Sequence, residues 1–112
     1  MDFEKVPPSD PEIERRLLGT AIHNGVESFS VMAALLKPEY LYVPEHLVLW
    51  AIMDEVVSSG SELSIVTVCD AVRKQNQLTS VGGEVYVAGL VDGYYYASDI
   101  SIENSISELR NY

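Results

Sequence analysis

Bases are scarce in this chain: 7 lysines and arginines stand against 17 acids, a formal charge of -10 over 112 residues. Nucleic-acid binding is driven by Lys and Arg displacing condensed counterions, and its footprint is a basic face. The bases come as Arg15-Arg16 and Arg73-Lys74 with no stripe between them. Both pairs read as solvated helix faces, and a DNA-binding helical regulator lacks the basic recognition helix it needs. The acidity favours a basic partner protein or simply solubility. Cysteine is limited to Cys69, which excludes an intrachain disulfide and makes a reducing, cytosolic compartment the default expectation. No apolar run approaches the ~18 residues that span a bilayer. The N-terminus Met1-Asp2-Phe3-Glu4-Lys5 lacks a secretory pattern. With only two histidines, His23 and His46, and no clustered partners, no metal site is expected. A Gly-x-x-x-x-Gly-Lys-Ser/Thr phosphate loop is missing, which excludes an ATP cradle of that type.

What is present is the composition of one folded domain, with 47% apolar residues. At this length roughly 65% of the unfolded surface can be buried. Residues 1–8 read as an extended lead, because Pro7-Pro8 cannot sit inside a helix. Residues 9–112 read as the domain proper. Asp10 is a good N-cap with Pro11 at the first helical position. Ile13, Leu17 and Ala21, with Leu18 and Ile22, give the first helix its apolar face, and Asn24-Gly25 ends it. A second helix is expected over residues 27–36, with Phe29, Met32, Ala33 and Leu36 apolar and Lys37-Pro38 as its stop. A third runs from Pro44 to Gly60 on the stripe Leu49, Ile52, Met53, Val56 and Val57, flanked by Trp50. Leu47 falls on the opposite side of that helix.

Two later segments leave helix and strand open on propensity. Ile65-Val66-Thr67-Val68-Cys69 is β-branched, yet Ser64 is a sound N-cap and Ile65, Val68, Cys69 and Val72 have helical spacing. Val85 and Val87 pull residues 84–91 toward strand, whereas Tyr86, Val87 and Leu90 fit a short helix face. Between these segments Leu78 reads as an apolar anchor before the Val81-Gly82-Gly83 turn. Asp92-Gly93 reads as a further turn. Ser98 or Asp99 caps a last helix bearing Ile102, Ile106 and Leu109, which looks cut rather than finished.

Tempting residues read as structural. His46, near a helix start, is a hydrogen bonder. Cys69 is a small core side chain. Glu12, Glu14, Asp54 and Glu55 are helix-surface acids. Gly82-Gly83 is turn chemistry. Tyr94-Tyr95-Tyr96 is the exception, since three consecutive tyrosines cannot all face one core and tyrosine is enriched in interfaces.

The order of several short motifs resembles the N-terminal domain of the DnaB-type replicative DNA helicases. Pro7-Pro8, Glu12-x-Glu14 and Leu18-Gly19 are similar to the family's opening. Tyr42-x-Pro44-x-His46 with Leu49-Trp50-x-Ile52 looks like its aromatic-x-Pro-x-His and hydrophobic helix. Ser64-Ile65-Val66-Thr67-Val68 and Gln77-Leu78-x-x-Val81-Gly82-Gly83-x-x-Tyr86 complete the match over roughly residues 7–112. Departures at Arg15, at Leu47-Val48 and at Tyr94–Asp99 suggest a divergent, phage- or plasmid-type member. The resemblance implies an all-α, compact bundle of about six short helices, and it favours helix in both open segments. It implies a non-catalytic head that ends at the start of a helical hairpin. Such heads mediate ring assembly with further copies of themselves and recruit primase or a helicase loader. ATP and magnesium belong to a separate motor, so this part needs no cofactor and makes no direct contact with nucleic acid or membrane. Leu47, Tyr94, Tyr95 and Tyr96 are the candidate interface residues, expected to support self-association without being needed for folding. A stand-alone acidic adaptor of a phage or plasmid replication system is the alternative.

Overall fold

In the computed structural model, residues 11–93 and 99–110 are described, with side chains for 11–92 and 102–110. Six α-helices follow one another: α1 (Pro11–Asn24), α2 (Val26–Leu35), α3 (Pro44–Ser58), α4 (Ile65–Lys74), α5 (Glu84–Gly93) and α6 (Asp99–Arg110). A 3₁₀ turn at Pro38–Tyr40 joins α2 to α3. There is no strand among the described residues, so the all-α expectation holds and both open segments are helical.

The local chemistry explains why β-branched residues 65–69 form a helix. Ser64 is extended and its Oγ accepts from the Thr67 backbone N–H, while the Thr67 hydroxyl accepts from the Ser64 N–H. This reciprocal box satisfies two donors that would otherwise be orphaned at a helix start. At the other end Asn76 adopts φ 56°, and the backbone N–H groups of Asn76 and Gln77 donate to Arg73 and Val72. The same closing pair ends α3, where Gly60 and Ser61 donate to Val57 and Val56 with Gly60 at φ 85°. These are Schellman closures, which require a left-handed residue just past the helix.

α1 is the hub, packing on α2, α3, α4, α5 and α6. This is why Leu17, Leu18, Gly19, Thr20, Ala21 and Ile22 are all buried, more than the single stripe of a surface helix. Thr20 meets the demand of burial by donating to the Arg16 carbonyl at 2.6 Å. Phe29, Met32 and Leu36 enter the core from the second segment, while Ala33 is exposed. All of the expected α3 stripe is buried or packed on the core, and Trp50 lies within it. Ile102, Ile106 and Leu109 are buried as their spacing requires.

Three expectations need correction. Asp92-Gly93 is not a turn but the end of α5. Asp and Gly favour turns locally, but neither forbids a terminal helical turn. Leu78 is exposed, and the anchor of its turn is the fully buried Val81. The single turn from Leu78 to Gly83 closes on itself through Gly83 N–H to Leu78 and Gly82 N–H to Thr79, and its fourth side chain is the one directed inward. Glu14 is not a surface acid, as described below. The Asp10 cap and the lead over residues 1–8 lie outside the described residues.

Gly82 has φ 94°, and a Cβ there would meet the Tyr86 ring at 3.1–3.2 Å. Gly82→Ala therefore combines left-handed strain with a clash, and should cost roughly 1–3 kcal/mol. Urea unfolding of the variant checks this, and an unchanged midpoint would contradict it.

Candidate protein interface

The interior polar site is built from three helices. Glu14 on α1 and His46 on α3 both have 0% exposed side chains. His46 Nδ1 lies 2.7 Å from Glu14 Oε1, and Nε2 lies 2.6 Å from the Tyr86 hydroxyl on α5. Glu14 also accepts from the backbone N–H groups of Tyr42 (2.8 Å) and Val43 (3.3 Å). A carboxylate only accepts, so the shared proton sits on Nδ1; in the neutral ring Nε2 is then the acceptor for Tyr86. Burial, foremost, pushes the Tyr86 hydroxyl above its ordinary pKa and keeps it a donor. The residue at the N-cap position of α3, Val43, offers no side-chain cap. The Glu14 carboxylate supplies negative charge there from another helix, where the α3 dipole favours it. This arrangement ties α1, α3 and α5 together. Every member already has its partners inside the fold, and the chemistry it performs is positioning.

No group of three or more His, Cys, Asp or Glu that could hold a metal occurs among the described residues. The Gly82-Gly83 turn does not fit a nucleotide cradle. The site of a Gly82 Cβ faces the Tyr86 ring, and Glu84, not lysine, follows. Cys69 is buried on α4, where desolvation chiefly, with the Glu84 charge, pushes its thiol up. It is a poor nucleophile for that reason.

The outer surface is where the fold leaves something unfinished. Leu47 is 38% exposed on the outward side of α3. With Val48, Ala51, Ile52, Glu55, Gln75 and Gln77 it lines a groove of about 340 Å³. Gln75, just past α4, donates to the Glu55 carboxylate and fixes one wall. A second hollow of about 360 Å³ begins at the same Glu55 and continues between α3 and α4 past Asp70 and Lys74 to Ser61. The other candidates, Tyr94, Tyr95 and Tyr96, lie outside the described residues. Among the large apolar side chains not proposed as contacts from sequence, Val66 on α4 at 73% and Val85 on α5 at 88% are the most exposed of the described residues. Their signal was available, since Val85 falls opposite the buried Val87 and Leu90 of α5 and Val66 lies off the Val68, Cys69 and Val72 face of α4.

The bases are mostly engaged with acids of the same chain. Arg15 and Arg16 reach Glu12 at 3.2 and 3.0 Å, Arg73 pairs with Glu84, and Lys74 lies 3.1 Å from Asp70. No helix among the described residues is long and apolar enough to cross a membrane.

Comparison with known proteins agrees with this architecture. The replicative DNA helicase DnaB of Geobacillus stearothermophilus is 28% identical over 108 residues, covering 96% of this chain and 24% of that protein. The replicative DNA helicase DnaB of Treponema pallidum (strain Nichols) is 27% identical over 96 residues, covering 86% of this chain and 22% of that protein. This chain thus spans about a quarter of the length of those helicases. The crystal structure of the N-terminal domain of DnaB helicase from Mycobacterium tuberculosis has the same fold, with a TM-score of 0.80 over 94% of this chain and 71% of that chain, at 20% identity. Residues 6–110 match the family described as the DnaB-like helicase N terminal domain. On that match, which takes in all six helices and the three residues of the buried network, the chain belongs to the DnaB-like helicase N-terminal domain family.

Proposed function

We propose that this chain is the non-catalytic N-terminal head of a replicative hexameric DNA helicase, and that it works by touching other proteins. It mediates ring assembly with further copies of itself and recruits primase or a helicase loader during DNA replication in the cytoplasm. The observation that carries this reading is the pairing of a fully packed interior with apolar side chains left on the outer faces of α3, α4 and α5, at Leu47, Val66 and Val85. Isolated apolar residues on a surface are ordinary; Val66 and Val85 stand apart, but Leu47 lines a groove with Val48, Ala51 and polar side chains, which is the anatomy of a contact site. The net charge of -10 supports a protein partner over a phosphate backbone. ATP and magnesium chemistry belongs to a motor outside these residues. Tyr94, Tyr95 and Tyr96 are assigned to contacts between heads.

The test is removal of residues 1–112 from the parent helicase. ATP hydrolysis per subunit should persist, while hexamer assembly and the response to primase are lost. A headless protein that still forms hexamers and still responds to primase would refute the reading.

A further inference from the structure

We infer that the trough along α3 and α4 takes a basic amphipathic helix of a partner protein, with an apolar anchor beside Leu47 and a lysine or arginine reaching Glu55 and Asp70. The inference rests on the recruiting role proposed above and names the chemistry of the recruited segment. The outward face of α3 is divided along its length. Leu47, Val48 and Ala51 occupy its first half, and Asp54 and Glu55 follow. The two hollows share Glu55 as a common wall, so the apolar and acidic portions adjoin along α3 and α4. α3 has 15 residues, which is about 22 Å at ~1.5 Å per residue. A helix of similar length laid along it places its anchors three and four residues apart, as helix-in-groove recognition requires.

Charge selects the occupant. A second copy of this chain carries the same excess of ten acids, and four of its seven bases already pair internally. Like charges brought together at Glu55 would oppose that contact, so the groove is a poor place for two heads to meet even though Leu47 is apolar. Lys74 is the one base lining the trough. It is bound to Asp70 with both side chains more than half exposed, and an ion pair that open to solvent is weakly held and exchangeable. An incoming cation can therefore take Asp70 without breaking a buried interaction.

The experiment titrates the whole chain into three fluorescein-labelled peptides of about 15 residues, the length of one such helix. The first is an amphipathic leucine–lysine helix. The second carries glutamate for every lysine, and the third scrambles the first. Anisotropy measures affinity, and amide chemical shifts map the contact. The leucine–lysine helix should bind, with shifts at Leu47, Ala51, Glu55 and Gln75. The glutamate peptide should not bind, and the scrambled one should be about tenfold weaker. Leu47→Asp and Glu55→Lys should each reduce binding about tenfold. Both side chains are exposed, so circular dichroism of the variants should match the parent. The inference is overturned if the scrambled peptide binds equally, if the shifts fall on α5 or α6, or if neither variant weakens binding. It is also overturned if the peptide fails to compete with a self-contact that Leu47→Asp abolishes. Those results would leave the loss of primase response on head removal untouched, so failure of the groove and failure of the recruiting role are read separately.

Discussion

Glu14→Ala should be the most damaging single polar substitution in this domain, with a loss of about 3–5 kcal/mol. The carboxylate accepts from His46 Nδ1 and from the N–H groups of Tyr42 and Val43. Removing it leaves a fully buried imidazole donor without an acceptor and a void in the packed interior, and it takes away the charge that faces the start of α3. A domain of this size has roughly 5–15 kcal/mol in total, so the melting temperature should fall by roughly 12 °C or more. Thermal unfolding followed by circular dichroism is the measurement. Two milder variants separate the contributions. Tyr86→Phe leaves His46 Nε2 unpartnered and should cost about 1–3 kcal/mol. Glu14→Gln keeps the volume but turns one acceptor into a donor, and should fall between these two. If Glu14→Ala melts within a few degrees of the parent, the three-helix network is not what fixes α3 on α1.

Phe29→Ala is expected to cost about 3–5 kcal/mol for a different reason. Phe29 is 2% exposed on α2, and its ring lies 4.6 Å from that of Trp50 on α3, tilted by 31°. Such a tilted pair adds ~0.5–1.5 kcal/mol to the burial itself. α2 packs chiefly on α1 and α6, and this ring contact bridges α2 to α3. Trp50 is the single tryptophan of the chain and is 6% exposed. Its fluorescence therefore reports the site directly: the emission should shift to longer wavelength in the folded variant as water reaches the vacated space. A loss below about 2 kcal/mol with unchanged emission would mean that neighbours close the cavity.

Much of the fold was legible from residue order. The start of α4 after Ser64 is set by a capping box within four residues, which needs no tertiary partner, and Pro11 and Pro44 stand at the first positions of α1 and α3 as a missing N–H allows. The apolar spacing in α1, α3 and α6 reports burial because a helix has one period and one inward face. Ile65–Cys69 and Val85–Val87 were ambiguous for an equally physical reason: β-branched residues suit either structure, and packing decides. The resemblance to a helical family tipped both segments to helix, and the structure agrees.

Glu14 shows where that reading failed and what could have corrected it. Glu14, Leu17, Leu18 and Ala21 lie at i, i+3, i+4 and i+7, so the acid stood on the apolar face of its own helix. A charged residue there demands a buried partner. The three motif pieces Glu12-x-Glu14, Tyr42-x-Pro44-x-His46 and Val81-Gly82-Gly83-x-x-Tyr86 each contribute one member of the network, yet nothing in their spacing says that they meet.

By itself, then, the sequence determined that the chain is an acidic domain and which faces of α1, α3 and α6 turn inward, because those properties depend on composition and on neighbours a few residues apart. Only the tertiary structure decided that Glu14, His46 and Tyr86 form one hydrogen-bonded unit, that Val81 rather than Leu78 turns inward, and that Leu47 and Asp70 line two hollows that share Glu55. The units so formed span from 3 positions, Leu78 to Val81, to 72, Glu14 to Tyr86, and it is packing around α1 that brings the distant ones together.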